Sequence, residues 1–127
     1  MTPEFDGAEF LTCASRIGDM VCDASRTDSS GSIWWGRGFD LAQSPCEIAG
    51  MFNGRAGEAW YLSRLAAATH RERFAEVARD SFAPVVSLFE DSQRTVAYAR
   101  RAGIGITGLG SLVFALEDAG DILNDDS

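Results

Sequence analysis

The chain contains no lysine. All 11 of its basic residues are arginine, which excludes any reaction needing a Schiff-base lysine or a P-loop lysine within the chain. Histidine occurs once, as His70. Basic charge is scarce overall: 11 basic against 19 acidic residues give a net charge of −8, and Arg100-Arg101 is the only basic doublet. Such a surface repels phosphate backbones and anionic lipid. Without the basic stripe that releases counterions, nucleic acid is excluded as a partner. No apolar run approaches the roughly 20 residues that span a bilayer, so no membrane partner is expected. The start, Met1-Thr2-Pro3-Glu4-Phe5-Asp6, is acidic and has neither the basic nor the apolar region of a secretory signal, which predicts a cytoplasmic protein. Cysteine is limited to Cys13, Cys22 and Cys46. An odd number at spacings of 9 and 24 argues for reduced thiols over a disulfide scaffold.

What is present is an ordinary globular composition, 46% hydrophobic and 24% charged. A length of 127 residues accommodates one domain. Residues 7–25 place Phe10, Leu11, Ala14, Ile17, Val21 and Cys22 at helical spacing, a first amphipathic helix. A long connection over about 26–53 follows, rich in Gly, Ser and Asp and containing Pro45. A second helix is predicted over 54–68, apolar nearly all round. Thr69-His70-Arg71-Glu72 has the form of a capping box opening a third helix, whose stripe is Phe74, Val77, Ala78, Phe82, Val85 and Phe89. Pro84 predicts a kink or an end near Ala83. Residues 95–101 leave their state open. Gly103 to Gly110 then lead into a further apolar helix over 111–116, and the acidic end beyond it is expected to fray. No segment reads as a strand, so the fold class is all-α, built of helical hairpins.

The chain also repeats. A shift of 51 residues lays Gly54 on Gly105, Gly57 on Gly108, Leu65 on Leu116 and Ala68 on Ala119. Each Gly-x-x-Gly unit opens a buried helix. Because glycine costs up to ~1 kcal/mol relative to alanine in a helix, close backbone approach is the expected reason for it. A period near 50, with one inner and one outer helix per unit, is the pattern of hairpins stacked side by side.

Met51-Phe-Asn-Gly-Arg-Ala-Gly-Glu-Ala-Trp-Tyr-Leu62, continued by Ala-Ala-Thr-His-Arg-Glu-Arg-Phe74, resembles the first hairpin of the lanthionine synthetase C-like family. Gly105-Ile-Thr-Gly-Leu-Gly-Ser-Leu-Val-Phe-Ala-Leu116 with Gly120-Asp-Ile-Leu-Asn-Asp125 is similar to the cyclase domain of type 2 lanthipeptide synthetases, and Trp34-Trp35-Gly36 fits the entry to it. The resemblance implies that residues 1–127 are an N-terminal portion of such a domain, an arc of an α/α toroid whose ring is incomplete. Its structural motif would be Gly54, Gly57, Gly105, Gly108 and Gly110. In the family, a central zinc ion activates peptide cysteines, which add to dehydroamino acids and close thioether rings. The zinc ligands, a Cys and a Cys-His pair, and the catalytic Asp and His lie on later hairpins. Cys-His-Gly occurs nowhere here, so no catalytic or metal role falls on a residue of this chain. The expected partners are the remainder of the domain or a second copy, with a precursor peptide bound by the full enzyme. Asn53 and Glu58 depart from the family pattern.

Other candidate features have plainer explanations. Cys13, Cys22, Cys46 and His70 lack zinc-ligand spacing. The first two read as small core residues and His70 as a surface residue. Trp34 and Trp35 suit a loop locked onto a core. Gly103-x-Gly105-x-x-Gly108 matches the dinucleotide fingerprint but lacks a preceding strand. Glu117, Asp118, Asp121, Asp125 and Asp126 read as a solvated end. Two other functions suit the pattern: a non-catalytic helical-hairpin module that binds protein, and an unrelated α/α-toroid enzyme such as a glycosidase.

Overall fold

The computed structural model describes residues 6–27, 33–34, 50–51 and 54–124. Among the described residues, five helices carry the fold: α1 (Gly7–Ala24), α2 (Arg55–Thr69), α3 (Glu72–Glu90), α4 (Ser92–Ala102) and α5 (Leu109–Leu123). The all-α class holds. One two-residue antiparallel pair, β1 (Arg26–Thr27) with β2 (Ile33–Trp34), falls in the predicted connection. Trp35, the Trp34 side chain, Cys46, Asn53, Asp125 and Asp126 lie outside the described residues.

The core is centred on α2 and α3. Ala56, Ala59 and Leu62 of α2 and Phe74, Ala78, Val85 and Leu88 of α3 are buried, joined by Leu112, Ala115 and Ala119 of α5. The two helices form a tight hairpin, with His70 closing α2 in the left-handed conformation at φ 57°. Trp60 stacks at a tilt on Phe114 with centroids 6.1 Å apart, and Arg64 reaches Asp118 at 3.7 Å. Because both pairs advance together along the chain, α2 and α5 run side by side in the same direction. α3 packs against both, and Arg79 donates to the Leu123 carbonyl at 2.8 Å.

Several expectations are corrected. The first helix buries only half of its predicted stripe: Cys22 is buried and Ala14 and Val21 pack against the core, joined by buried Gly18, whereas Phe10, Leu11 and Ile17 are exposed, and so is Cys13. The docked face consists mostly of small residues. A Cβ on Gly18 would overlap Leu65 Cδ1 and lie 3.0 Å from the Phe74 ring, so α1 is pressed onto α2 and α3 where it carries no side chain. Arg71 and Arg73 then clamp Asp19 and Asp23, each through a 2.6 Å bond. The Arg71 hydrogen bond holds the Asp19 carboxyl below its ordinary pKa.

The capping box does not form. The Thr69 hydroxyl donates back to the Leu65 carbonyl at 2.6 Å and accepts from the Arg71 N–H, so it serves the end of α2, and Arg71 caps α3 without a side-chain bond. Pro84 does not end α3, which continues to Glu90. The carbonyl that loses its partner belongs to Asp80, on the exposed side where water can serve it. The open stretch is α4, capped by Asp91, whose carboxylate accepts from Gln93 and Arg94, and anchored by buried Tyr98. α5 runs on to Leu123, which is buried.

Candidate functional site

The two Gly-x-x-Gly units build the same local turn. The Gly57 N–H donates to the Gly54 carbonyl at 3.2 Å, and the Gly108 N–H donates to the Gly105 carbonyl at 3.0 Å. At each second glycine the chain doubles back on itself. A Cβ on Gly57 would overlap the Met51 carbonyl, and one on Gly108 would overlap the carbonyls of both Ala102 and Gly103. Close approach is therefore what these two positions require, since neither has positive φ; that property belongs to Gly103, which caps α4 at φ 83°. Gly110 is also tight, its Cβ position 2.8 Å from the Ile104 carbonyl. Around Gly105 there is open space. Gly54 is the N-cap of α2.

The equivalence stops at the turns. Gly57 lies inside α2, but Gly108 is the N-cap of α5, so the helices start at different offsets from their glycines. Their buried faces consequently fall out of phase with the 51-residue shift. Leu65 is buried and Leu116 only partly so, and Ala68 is exposed where Ala119 is buried.

The seam between α2 and α5 is polar at one point. The Trp60 indole N–H donates to Asp118 Oδ2 at 2.7 Å, so Asp118 is a structural acceptor and not part of a solvated end. Glu117 and Asp121 are exposed. On the other side of α2, the Tyr61 hydroxyl donates to the Ala14 carbonyl at 2.7 Å and ties down α1. Trp60 and Tyr61 are half-buried, and Phe114 is exposed. Sequence reasoning missed the Trp60–Asp118 bond because its partners stand 58 residues apart, and it missed Gly18 because apolar counting ignores glycine.

Glu58, in the first turn of α2, is half-buried. Burial raises its pKa, and the nearby charge of Arg55 pulls it back only in part. The folded protein thus binds this proton more tightly than the unfolded chain. Stability is lost as pH rises from the unfolded pKa, near 4.5, through the raised folded value, and the loss is complete above it. Glu58→Gln is expected to raise Tm by a few degrees at pH 7, with the gain vanishing below about pH 4, as checked by thermal melts at both pH values. An unchanged Tm at pH 7 would mean that the favourable helix-dipole interaction of the carboxylate balances its desolvation.

Among the described residues, no three His, Cys, Asp or Glu side chains gather so as to hold a metal ion. Cys22 is buried, which pushes its thiol pKa up, and His70 is exposed. A groove of about 450 Å³ lies between α3 and α5, floored by Phe82, Ala83, Val86, Leu116 and Leu123. Among the described residues, no helix is long and apolar enough to cross a membrane. Comparison with protein-family models, curated proteins and solved structures finds no match in any of the three.

Proposed function

We propose that this chain forms part of the cyclase domain of a lanthipeptide synthetase, an arc of its α/α toroid that supplies scaffold and leaves the thioether chemistry to hairpins outside these 127 residues. The observation carrying the reading is the pair of glycine-gated turns. Each closes by the same hydrogen bond and presses its second glycine on a backbone carbonyl, and each opens one of two helices that run side by side in the same direction. α3 lies against both, as an outer helix would lie across two inner ones.

No zinc-dependent step is assigned to any residue here. The isolated chain, given zinc and a dehydrated precursor peptide, is expected to bind no stoichiometric metal by elemental analysis and to form no thioether by mass spectrometry. Co-expression with an adjacent reading frame that encodes further Gly-x-x-Gly hairpins with a Cys and a Cys-His-Gly is expected to restore both. Stoichiometric zinc with turnover by the chain alone would overturn the reading.

A second reading, a non-catalytic hairpin module that binds protein, is favoured by large apolar side chains left in solvent, Phe10, Ile17 and Met20 on α1 and Ile104 and Ile106 before α5. An unrelated gene in place of the adjacent frame supports this module. The glycosidase reading rests on paired acids with Trp34 and Trp35, and the side chains of the two tryptophans lie outside the described residues.

A further inference from the structure

α1 and α2 run side by side in the same direction, because Tyr61 meets Ala14, Leu65 lies against Gly18 and Arg71 holds Asp19 in turn. α1, α2 and α5 therefore form a row of three parallel helices with α2 in the middle. Doubling the 51-residue shift lays Gly18-Asp19 of α1 on Gly120-Asp121 of α5, and Asp23 on Asp125. It also lays the face that α1 buries, Ala14, Gly18, Val21 and Cys22, on Leu116, Gly120, Leu123 and Asn124. All four of those α5 residues line the groove between α3 and α5.

The two faces differ in what covers them. On α1, Leu65 and the Phe74 ring close on the bare Gly18 backbone, the Arg71 guanidinium holds Asp19 by two bonds, and Arg73 holds Asp23. That seat is taken. On α5, a Cβ at Gly120 would have Asn124 Nδ2 as its nearest neighbour, at 3.7 Å, and Asp121 is exposed with no ion pair among the described residues. The opposite face agrees with the shift as well. Phe10, Cys13 and Ile17, exposed on α1, fall on Leu112, Ala115 and Ala119, which are buried in α5 where it packs on its neighbours.

We propose that the groove between α3 and α5 is the seat of a further helical hairpin, docked as α2 and α3 dock on α1. Its inner helix lies along Leu116 and Gly120, and an arginine in its turn pairs with Asp121. The charge order of α5 suits this partner: the last turn has no base, and an arginine-bearing turn supplies positive charge at the negative end of the helix dipole. A second copy cannot be the occupant, because its own α1 already covers Leu65, the Phe74 ring and Arg71. The proposal rests on the arc of hairpins in the proposed function and needs none of its thioether chemistry.

A chain in which residues 1–125 are continued by a copy of residues 24–91, the segment that follows α1, tests it by placing such a hairpin behind α5. Every cysteine is replaced by alanine. Val86→Cys in the first α3, at a position 44% exposed and lining the groove, then reports cover through its rate of reaction with Ellman's reagent. That rate is expected to be at least tenfold slower in the extended chain than in the 127-residue chain, whereas Val96→Cys on α4, at a position 49% exposed, reacts alike in both. Gly120→Leu and Asp121→Arg are each expected to restore the fast rate, and Asp121→Arg leaves the melting temperature of the 127-residue chain undiminished because that side chain stands in solvent. Arg71→Asp in the appended copy is expected to rescue Asp121→Arg, as mere adhesion to an apolar surface would not. Equal Val86→Cys rates in the two chains, protection indifferent to both α5 variants, or protection that grows with the concentration of the 127-residue chain would each overturn the proposal. Failure of the co-expressed cyclase to form thioether leaves these rates untouched, so the two readings fall separately.

Discussion

Gly57→Ala is expected to destabilise the fold by about 3 kcal/mol, the upper part of the range for forcing atoms into a packed site. Two effects oppose each other at this position. Alanine favours the helix over glycine by up to ~1 kcal/mol. Against that, the new methyl would overlap the Met51 carbonyl, a backbone atom that no rotamer change can move aside. The second effect wins, because relief requires the turn before α2 to open and the hydrogen bond from Gly57 to Gly54 to lengthen. Gly108→Ala is expected to behave alike, with two carbonyls in the way. Gly105→Ala is the control: its Cβ would enter open space, so it is expected to be neutral or slightly stabilising through the unfolded chain. Urea denaturation of the three variants reads the contrast. Equal loss at positions 57 and 105 would mean that the glycines matter for chain flexibility and not for close approach.

The contrast between those glycines also marks what the sequence can disclose. That Gly57 and Gly108 occupy equivalent turns was legible from a 51-residue repeat, since a backbone contact of this kind admits no other residue. The helix faces beyond them were not legible from the same repeat. One glycine lies inside its helix and the other caps its helix, so the difference in start rotates the buried face and leaves Leu116 and Ala119 out of step with Leu65 and Ala68.

The stripe of α3 was readable because large apolar residues face a large apolar partner, whereas α2, apolar nearly all round in sequence, leaves Ala67 and Ala68 exposed. The stripe of α1 was half legible. Ala14, Val21 and Cys22 do face the core, but so does Gly18 between them, whereas counting apolar bulk also selects Phe10, Leu11 and Ile17, which stand exposed. Thr69 and Glu72 fitted a capping box in spacing. A threonine at the end of one helix can equally bond its own preceding turn, and with one residue between α2 and the N-cap of α3, that bond forms. The Trp60–Asp118 bond is long-range and carried no local signal. Of the candidate site, then, the turns were visible and the polar seam that locks the two helices was not.

The small-residue face of α1 gives Phe74 a wider role than filling the hairpin core. Its ring is fully buried and, together with Leu65 of α2, faces Gly18 of α1, and the Arg71 guanidinium lies 4.3 Å from its centroid. Phe74→Ala is expected to cost about 4 kcal/mol, within the range for deleting a buried phenyl ring and leaving its cavity. Against a total stability of about 5–15 kcal/mol, that is a large share. The loss is not expected to spread evenly. α1 carries no large side chain into this junction, so it cannot collapse into the space and is held afterwards by the Tyr61–Ala14 hydrogen bond and the exposed Asp19–Arg71 and Asp23–Arg73 pairs, which contribute little in water. Hydrogen exchange by mass spectrometry is therefore expected to show α1 amides losing protection before those of α2 and α5, together with a lower urea midpoint. A loss below about 1 kcal/mol, or equal deprotection of all helices, would show that α1 docks independently of the Phe74 ring.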